Sequence, residues 1–202
     1  MGTSQSVATP GTSFAATPAS SAAQQIVAAA GLSDEGVALL APDDKPRAYL
    51  DRLLAKGLSS DVVRFLAYVL PKREAIWWSW VCARKAAGQT PPNEVKSMLD
   101  AIERWIVQPT DANRRAAYAA TEVGDIASSA GMACVAVFFS GGSIAPDGMP
   151  DVPASDKMTP KAVVGSITLA AVANPDEMKQ RWAEFAKMGL EVVERIKLFP
   201  GA

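Results

Sequence analysis

The chain has 202 residues, 49% of them apolar and 20% charged, enough to bury one well-packed domain or two small halves sharing a core. Its 20 basic and 21 acidic residues show no run of like charge, so it lacks the basic excess by which nucleic-acid binders neutralise phosphate, and nothing draws it to an anionic membrane. It contains no histidine, which excludes Ser-His-Asp and Cys-His nucleophile systems, histidine general bases and histidine metal sites.

Residues 1–21 are built mainly from Gly, Ser, Thr, Ala and Pro, with no charged side chain before Asp34. Such a composition cannot form a core, and it predicts a disordered tail. The alternative is a short docking segment around Val7 to Phe14 that orders on a partner. The remainder, 22–202, reads as a single helical domain. Ser33, Ser60, Thr90, Thr110, Thr159 and Asn174 each precede an acid or a proline, the pattern of a helix start. Gly31, Gly57, Gly88, Gly124 and Gly141-Gly142 supply the matching stops. We read an all-α protein, a compact bundle of about eight or nine helices. No stretch alternates cleanly enough to argue for a sheet.

The apolar stripes follow in chain order. Leu50, Leu53 and Leu54 come first, then Val62, Phe65, Leu66 and Val69. In the segment from Leu70 to Ala87, a helical wheel puts Ile76, Trp77, Trp80, Ala83 and Ala87 on one face and Trp78 and Lys85 opposite. Arg84 falls on the apolar face. One reading makes all three tryptophans core, with Arg84 held by an acid elsewhere. The other exposes Trp78, with Arg73, as a binding hot spot, since Trp and Arg are enriched there. Val95, Met98, Leu99, Ile102, Trp105 and Ile106 form the next stripe. The helix from Asp111 has alanines for its expected inner face, Ala112, Ala116, Ala119 and Ala120. Its Arg114-Arg115 pair lies where the helix dipole disfavours cations, so we read a salt bridge or a helix-to-loop clamp, with anion binding as the alternative.

Ala130 to Phe139 and Ala162 to Ala173 are apolar on nearly all sides and predict central helices. Between them, Ser140-Gly141-Gly142-Ser143 fits a glycine helix cap better than a phosphate cradle, because it follows a helix and not a strand. Gly141 to Met158 is a long irregular segment, the kind that is either functional or mobile. The last stripe runs through Met178, Trp182, Phe185, Gly189, Val192, Val193 and Ile196.

Cys82 and Cys134 both sit in apolar helical sequence and read as reduced, buried thiols, with a disulfide as the alternative. Two distant cysteines without histidine cannot make a zinc site. The sequence has no GxxxxGK[ST] loop, no GxGxxG after a strand and no D-x-D-x-D-G loop, so no cofactor is expected. It has no apolar run of the roughly 20 residues that a membrane span needs, and no secretory signal at its start, which predicts a cytoplasmic protein.

Trp77-Trp78 with Cys82-Ala83-Arg84, Trp105 with Pro109, Arg114-Arg115, and the run from Phe139 to Pro146 together resemble an uncharacterised family of bacterial helical proteins. Its members are encoded near type VI secretion components and their effectors. The resemblance covers roughly Asp43 to Leu190 and brings no catalytic residues with it. It implies a bacterial cytosolic protein that serves a secretion system or its cargo. The expectation is a non-enzymatic adaptor or chaperone whose partner is a secretion component or effector. Neither nucleic acid nor a small-molecule ligand is expected. The candidate protein-binding residues are Arg73, Trp77, Trp78, Arg84, Arg114, Ser140, Gly141, Gly142 and Ser143. Two alternatives stand beside this reading. One is a small enzyme built on carboxylates and Arg84, with Glu74, Arg84 and Arg115 converging in a pocket. The other is an immunity-type inhibitor of a toxin.

Overall fold

A computed structural model describes residues 23–41, 44–146 and 148–199. The expected tail, 1–21, lies outside the described residues. Within them the chain is helical, with no strand beyond a single bridge between Ser143 and Pro153. In order come α1 (Ala23–Ala30), α2 (Asp34–Ala38), α3 (Pro46–Ala55), α4 (Ser59–Val69) and α5 (Lys72–Ala87). They are followed by α6 (Asn93–Val107), α7 (Asp111–Ala119), α8 (Ser129–Phe138), α9 (Met158–Val172) and α10 (Met178–Arg195). The count of ten exceeds the expected eight or nine because α2 is a helix of only 5 residues and α1 is not preceded by one of the start signals.

Three of the sequence start signals act as caps. Ser33 Oγ accepts from Gly36 N at 3.0 Å, Thr110 Oγ1 from Asn113 N at 3.2 Å and Asn174 Oδ1 from Asp176 N at 3.2 Å. The others do different work. Thr159 lies inside α9 and donates to the Phe139 carbonyl at 2.8 Å, tying the start of α9 to the end of α8. Next to Ser60, the buried Asp61 accepts from Ser33 N at 2.9 Å and from Ser33 Oγ, which docks α2 onto α4. Tyr49 completes that joint by donating to the Gly36 carbonyl at 2.6 Å. Burial, reinforced by the Asp61 charge, pushes the Tyr49 phenol up to about 12, so it remains a donor.

At the centre, α8 and α9 pack on one another as their all-round apolarity predicts. Ser129 Oγ donates to the Ser166 carbonyl and Ser166 Oγ returns a bond to the Ser129 carbonyl, each at 2.9 Å. Helices α5, α6 and α7 cover α8, while α4, α5 and α10 lie against α9.

Helix α5 corrects the wheel. Trp78 is fully buried, not an exposed hot spot, and its Nε1 donates to the Phe185 carbonyl at 2.9 Å. Trp80 is buried on another side, with Nε1 donating to the Leu99 carbonyl at 3.0 Å. A single stripe cannot describe α5, because α6, α8, α9 and α10 surround it. Helix α7 is a second correction. Its alanine face, with Ala112, Ala116 and Ala119, is exposed, and the buried positions are Arg114 and Ala117. The reason is Arg114, whose side chain has carbonyl partners only on the inner side.

Gly189 on α10 is where Trp78 fits. A Cβ there would come within 2.7 Å of Trp78 Cζ2 and 2.9 Å of Leu66 Cδ1. Ring and leucine are both locked in the core, so Gly189→Ala is expected to lower stability by about 1–3 kcal/mol despite alanine's better helix propensity. Gly141→Ala meets nothing within 4 Å and is expected to be close to neutral. Urea denaturation midpoints of the two variants check the contrast.

Candidate functional site

The sequence candidates divide into two separate groups. The first surrounds Arg114, whose side chain is 3% exposed. Its Nε donates to Asp111 Oδ1 at 2.8 Å, Nη1 to the Phe138 carbonyl at 2.7 Å and Nη2 to the Ser143 carbonyl at 2.8 Å. The guanidinium also lies 4.9 Å from the Phe138 ring centroid. Arg115 adds bonds to Asp111 Oδ2 at 3.1 Å and to the Ala145 carbonyl at 3.2 Å. The Phe138 carbonyl belongs to the last turn of α8, where partners within the helix run out and a cation is favoured. A helix-to-loop clamp, the first of the sequence readings, is what forms.

Ser140 to Ser143 is the turn that this clamp grips. Ser140 is buried and donates to the Val137 carbonyl at 2.7 Å. Gly142 has φ +65°, and a Cβ there would lie 2.9 Å from Asp111 Oδ1 and 3.1 Å from Arg114 Nη2. Ser143 Oγ accepts from Ala145 N at 3.1 Å and from Val152 N at 3.0 Å, stiffening the irregular segment beyond. Gly141, half-buried, completes the turn. These atoms serve the end of α8 and the connection to α9.

The second group lies on α5. Arg73 is exposed and donates through Nε to the Ile106 carbonyl at 2.9 Å, fastening the C-terminal turn of α6. Trp77 is half-buried beneath Arg195, 4.5 Å from guanidinium carbon to ring centroid. Arg84 is exposed and stacks 5.3 Å from the Trp80 ring, which corrects its expected burial against an acid. A pocket gathering Glu74, Arg84 and Arg115 would favour the enzyme alternative; Arg84 instead stacks on Trp80 and Arg115 bonds to the 143–145 turn. Both thiols are free and buried. Desolvation pushes the Cys134 thiol up to about 12, and burial, with the Glu184 charge, raises the Cys82 thiol still further.

A third feature escaped the sequence reading. A trough runs across the surface where α1, α4 and α9 meet. One stretch has a volume of about 600 Å³ and is lined by Ile26, Ala67 and Pro160, with Lys72, Asp156 and Lys157 at its edge. The adjoining stretch, about 660 Å³, is lined by Met132, Val164 and Leu169, with Arg64 and Lys161. Ala29 and Tyr68 line both, so the two adjoin. The walls come from segments far apart in the chain, and none carries a residue type that announces chemistry. The available signal was Arg64 and Tyr68, one turn apart on α4, whose other residues after Asp61 are apolar.

Substituting Arg114 by methionine would leave the Phe138 carbonyl without its donor, at about 1–3 kcal/mol, and the Ser143 carbonyl with only the longer 3.4 Å bond from Arg115 Nη2. Arg115→Ala, at the more exposed pair, is expected to cost less than about 1 kcal/mol. Denaturant titration separates the two. The clamp also predicts a pH dependence. Burial works against ionisation of Asp111, but the hydrogen bonds and charges of Arg114 and then Arg115 outweigh it and hold the carboxyl below its ordinary 3.8. A depressed folded pKa means a contribution that is complete above 3.8 and lost as pH falls from there through the folded value. The stability gap between the wild type and Asp111→Asn is therefore expected to be constant near neutrality and to close in acid. A gap unchanged at low pH would contradict the assignment.

Residues 49–193 match a family of unknown function, DUF6931. The matched stretch takes in the α4 and α9 walls of the trough and leaves α1 outside it. No curated protein and no solved structure matches the chain.

Proposed function

The chain belongs to the DUF6931 family, and we propose that it is a non-enzymatic protein-binding adaptor or chaperone that holds its partner in the α1–α4–α9 trough. The observation that carries this reading is the trough itself. It is a pair of adjoining concavities whose lining is mostly apolar, as in partner-binding grooves, with a few charged side chains that can fix orientation. The sequence resemblance to helical proteins encoded beside type VI secretion components supplies the partner class, a secretion component or its effector, and with it a cytoplasmic site of action. No helix among the described residues is long and apolar enough to cross a membrane, in keeping with a partner met in water. The reading moves the binding surface away from Trp78 and the 140–143 turn, whose side chains are spent on packing and on the clamp.

The test is affinity purification of the full chain from the producing cells, with partners identified by mass spectrometry. A specific secretion component or effector is expected with the wild type. Ala29→Trp, which fills the trough at its midpoint, is expected to lose it while circular dichroism and thermal unfolding stay unchanged. Equal recovery with a folded Ala29→Trp protein would place binding elsewhere and defeat the proposal.

A further inference from the structure

Resting on that protein-binding reading, we infer that the trough takes an acidic amphipathic helix of the partner. Charge is the first argument. Four cationic side chains edge the two stretches, Lys72 and Lys157 on one and Arg64 and Lys161 on the other, against the single carboxylate of Asp156. Asp156 is already paired with Lys72 at 2.9 Å. Neither Arg64 nor Lys161 enters an ion pair among the described residues. This cationic edge stands on a chain whose formal net charge is −1, so it is a local feature and not a reflection of overall composition.

Placement is the second argument. Lys157 occupies the N-cap position of α9 and Lys161 its first turns. The helix dipole makes this the end where anions are stabilised and cations are not. Bringing an external carboxylate to this end would relieve both the dipole and the two ammonium groups.

Backbone accounting selects a helix over an extended peptide. The walls are helices, whose main-chain groups are paired along their length, so they offer no edge on which a strand could complete its hydrogen bonds. A helical segment satisfies its own. The small residues Ala29 and Ala67 among the lining let a helix axis approach closely. Thr168 also lines the trough, and its Oγ1 is enclosed with no hydrogen-bond partner. Among the described residues it is the only buried side-chain nitrogen or oxygen so left.

The experiment uses the full chain and two synthetic probes, an amphipathic Leu/Glu helix and its Leu/Lys counterpart, followed by fluorescence anisotropy. The Leu/Glu probe is expected to bind, weakening by about tenfold as added salt screens the edge. The double variant Arg64→Glu/Lys161→Glu is expected to lose the Leu/Glu probe and gain the Leu/Lys one. Arg64→Gln/Lys161→Gln is expected to weaken the Leu/Glu probe without inverting the preference, and it keeps the test decisive should the reversal disturb folding. Equal binding of both probes would overturn the inference. So would preference for phosphatidylglycerol vesicles over the Leu/Glu probe, or self-association of the chain abolished by Ala29→Trp. If the cellular partner is lost with Ala29→Trp yet retained by a folded charge-reversed protein, the adaptor reading stands and the acidic helix falls.

Discussion

Two helices without a polar face dictate this architecture. Buried side chains point in every direction from α8, and α9 is nearly as apolar. Neither can lie on a surface, so each must be covered on all sides, and the pair is stapled by the reciprocal Ser129 and Ser166 bonds. The other helices are arranged by that demand. Helix α5 ends up between neighbours and needs tryptophans on two sides, Trp78 toward α10 and Trp80 toward α6, each with its indole N–H satisfied by a carbonyl. The trough marks where the covering is incomplete. Val164, Gly165, Thr168 and Leu169 of α9 are only half-buried there, between α1 and α4. A surface for a partner thus follows from the same constraint that builds the core.

Linking α8 to α9 requires a long irregular connection, and the clamp of α7 is the answer to that problem. Arg114 carries one charge to three needs at once, the last turn of α8, the Ser143 carbonyl and the Asp111 carboxylate. Removing water from a guanidinium is costly, and a partner for each of its three nitrogens offsets the cost. At the far end, Thr159 and the Lys72–Asp156 pair hold the segment where it enters α9. The connection is therefore pinned at both ends, and Asp156 and Lys157 are delivered to the edge of the trough.

Much of this was legible in the residues. The stripe of α6 reads straight from Met98, Leu99, Ile102 and Trp105, because that helix is covered on one side. The all-round apolarity of α8 and α9 foretold their central place. Helix α5 was not legible in the same way, since a wheel assumes one buried face and α5 has several. Helix α7 misled because alanine is neutral about exposure while arginine is not, and only the fold shows that Arg114 has carbonyls to reach for. The trough was the least legible feature. Its residues come mainly from α1, α4 and α9, they are mostly apolar or cationic, and their adjacency exists only after folding.

The arginine pair and the lysine pair break the same local rule, and the difference between them is informative. Arg114 and Arg115 stand in the first turns of α7, against its dipole. Yet Arg114 reaches the Phe138 carbonyl in the C-terminal turn of α8, where that rule is satisfied, and Arg115 reaches the Ala145 carbonyl in the turn beyond it. The apparent violation is repaid within the chain. Lys157 and Lys161 stand in the same position on α9, and no helix C-terminus or carboxylate among the described residues takes up their ammonium groups. A sequence that resolves one such conflict internally and leaves the other open, beside an apolar trough and an unpaired hydroxyl, has its unresolved conflict at the surface that we assign to a partner.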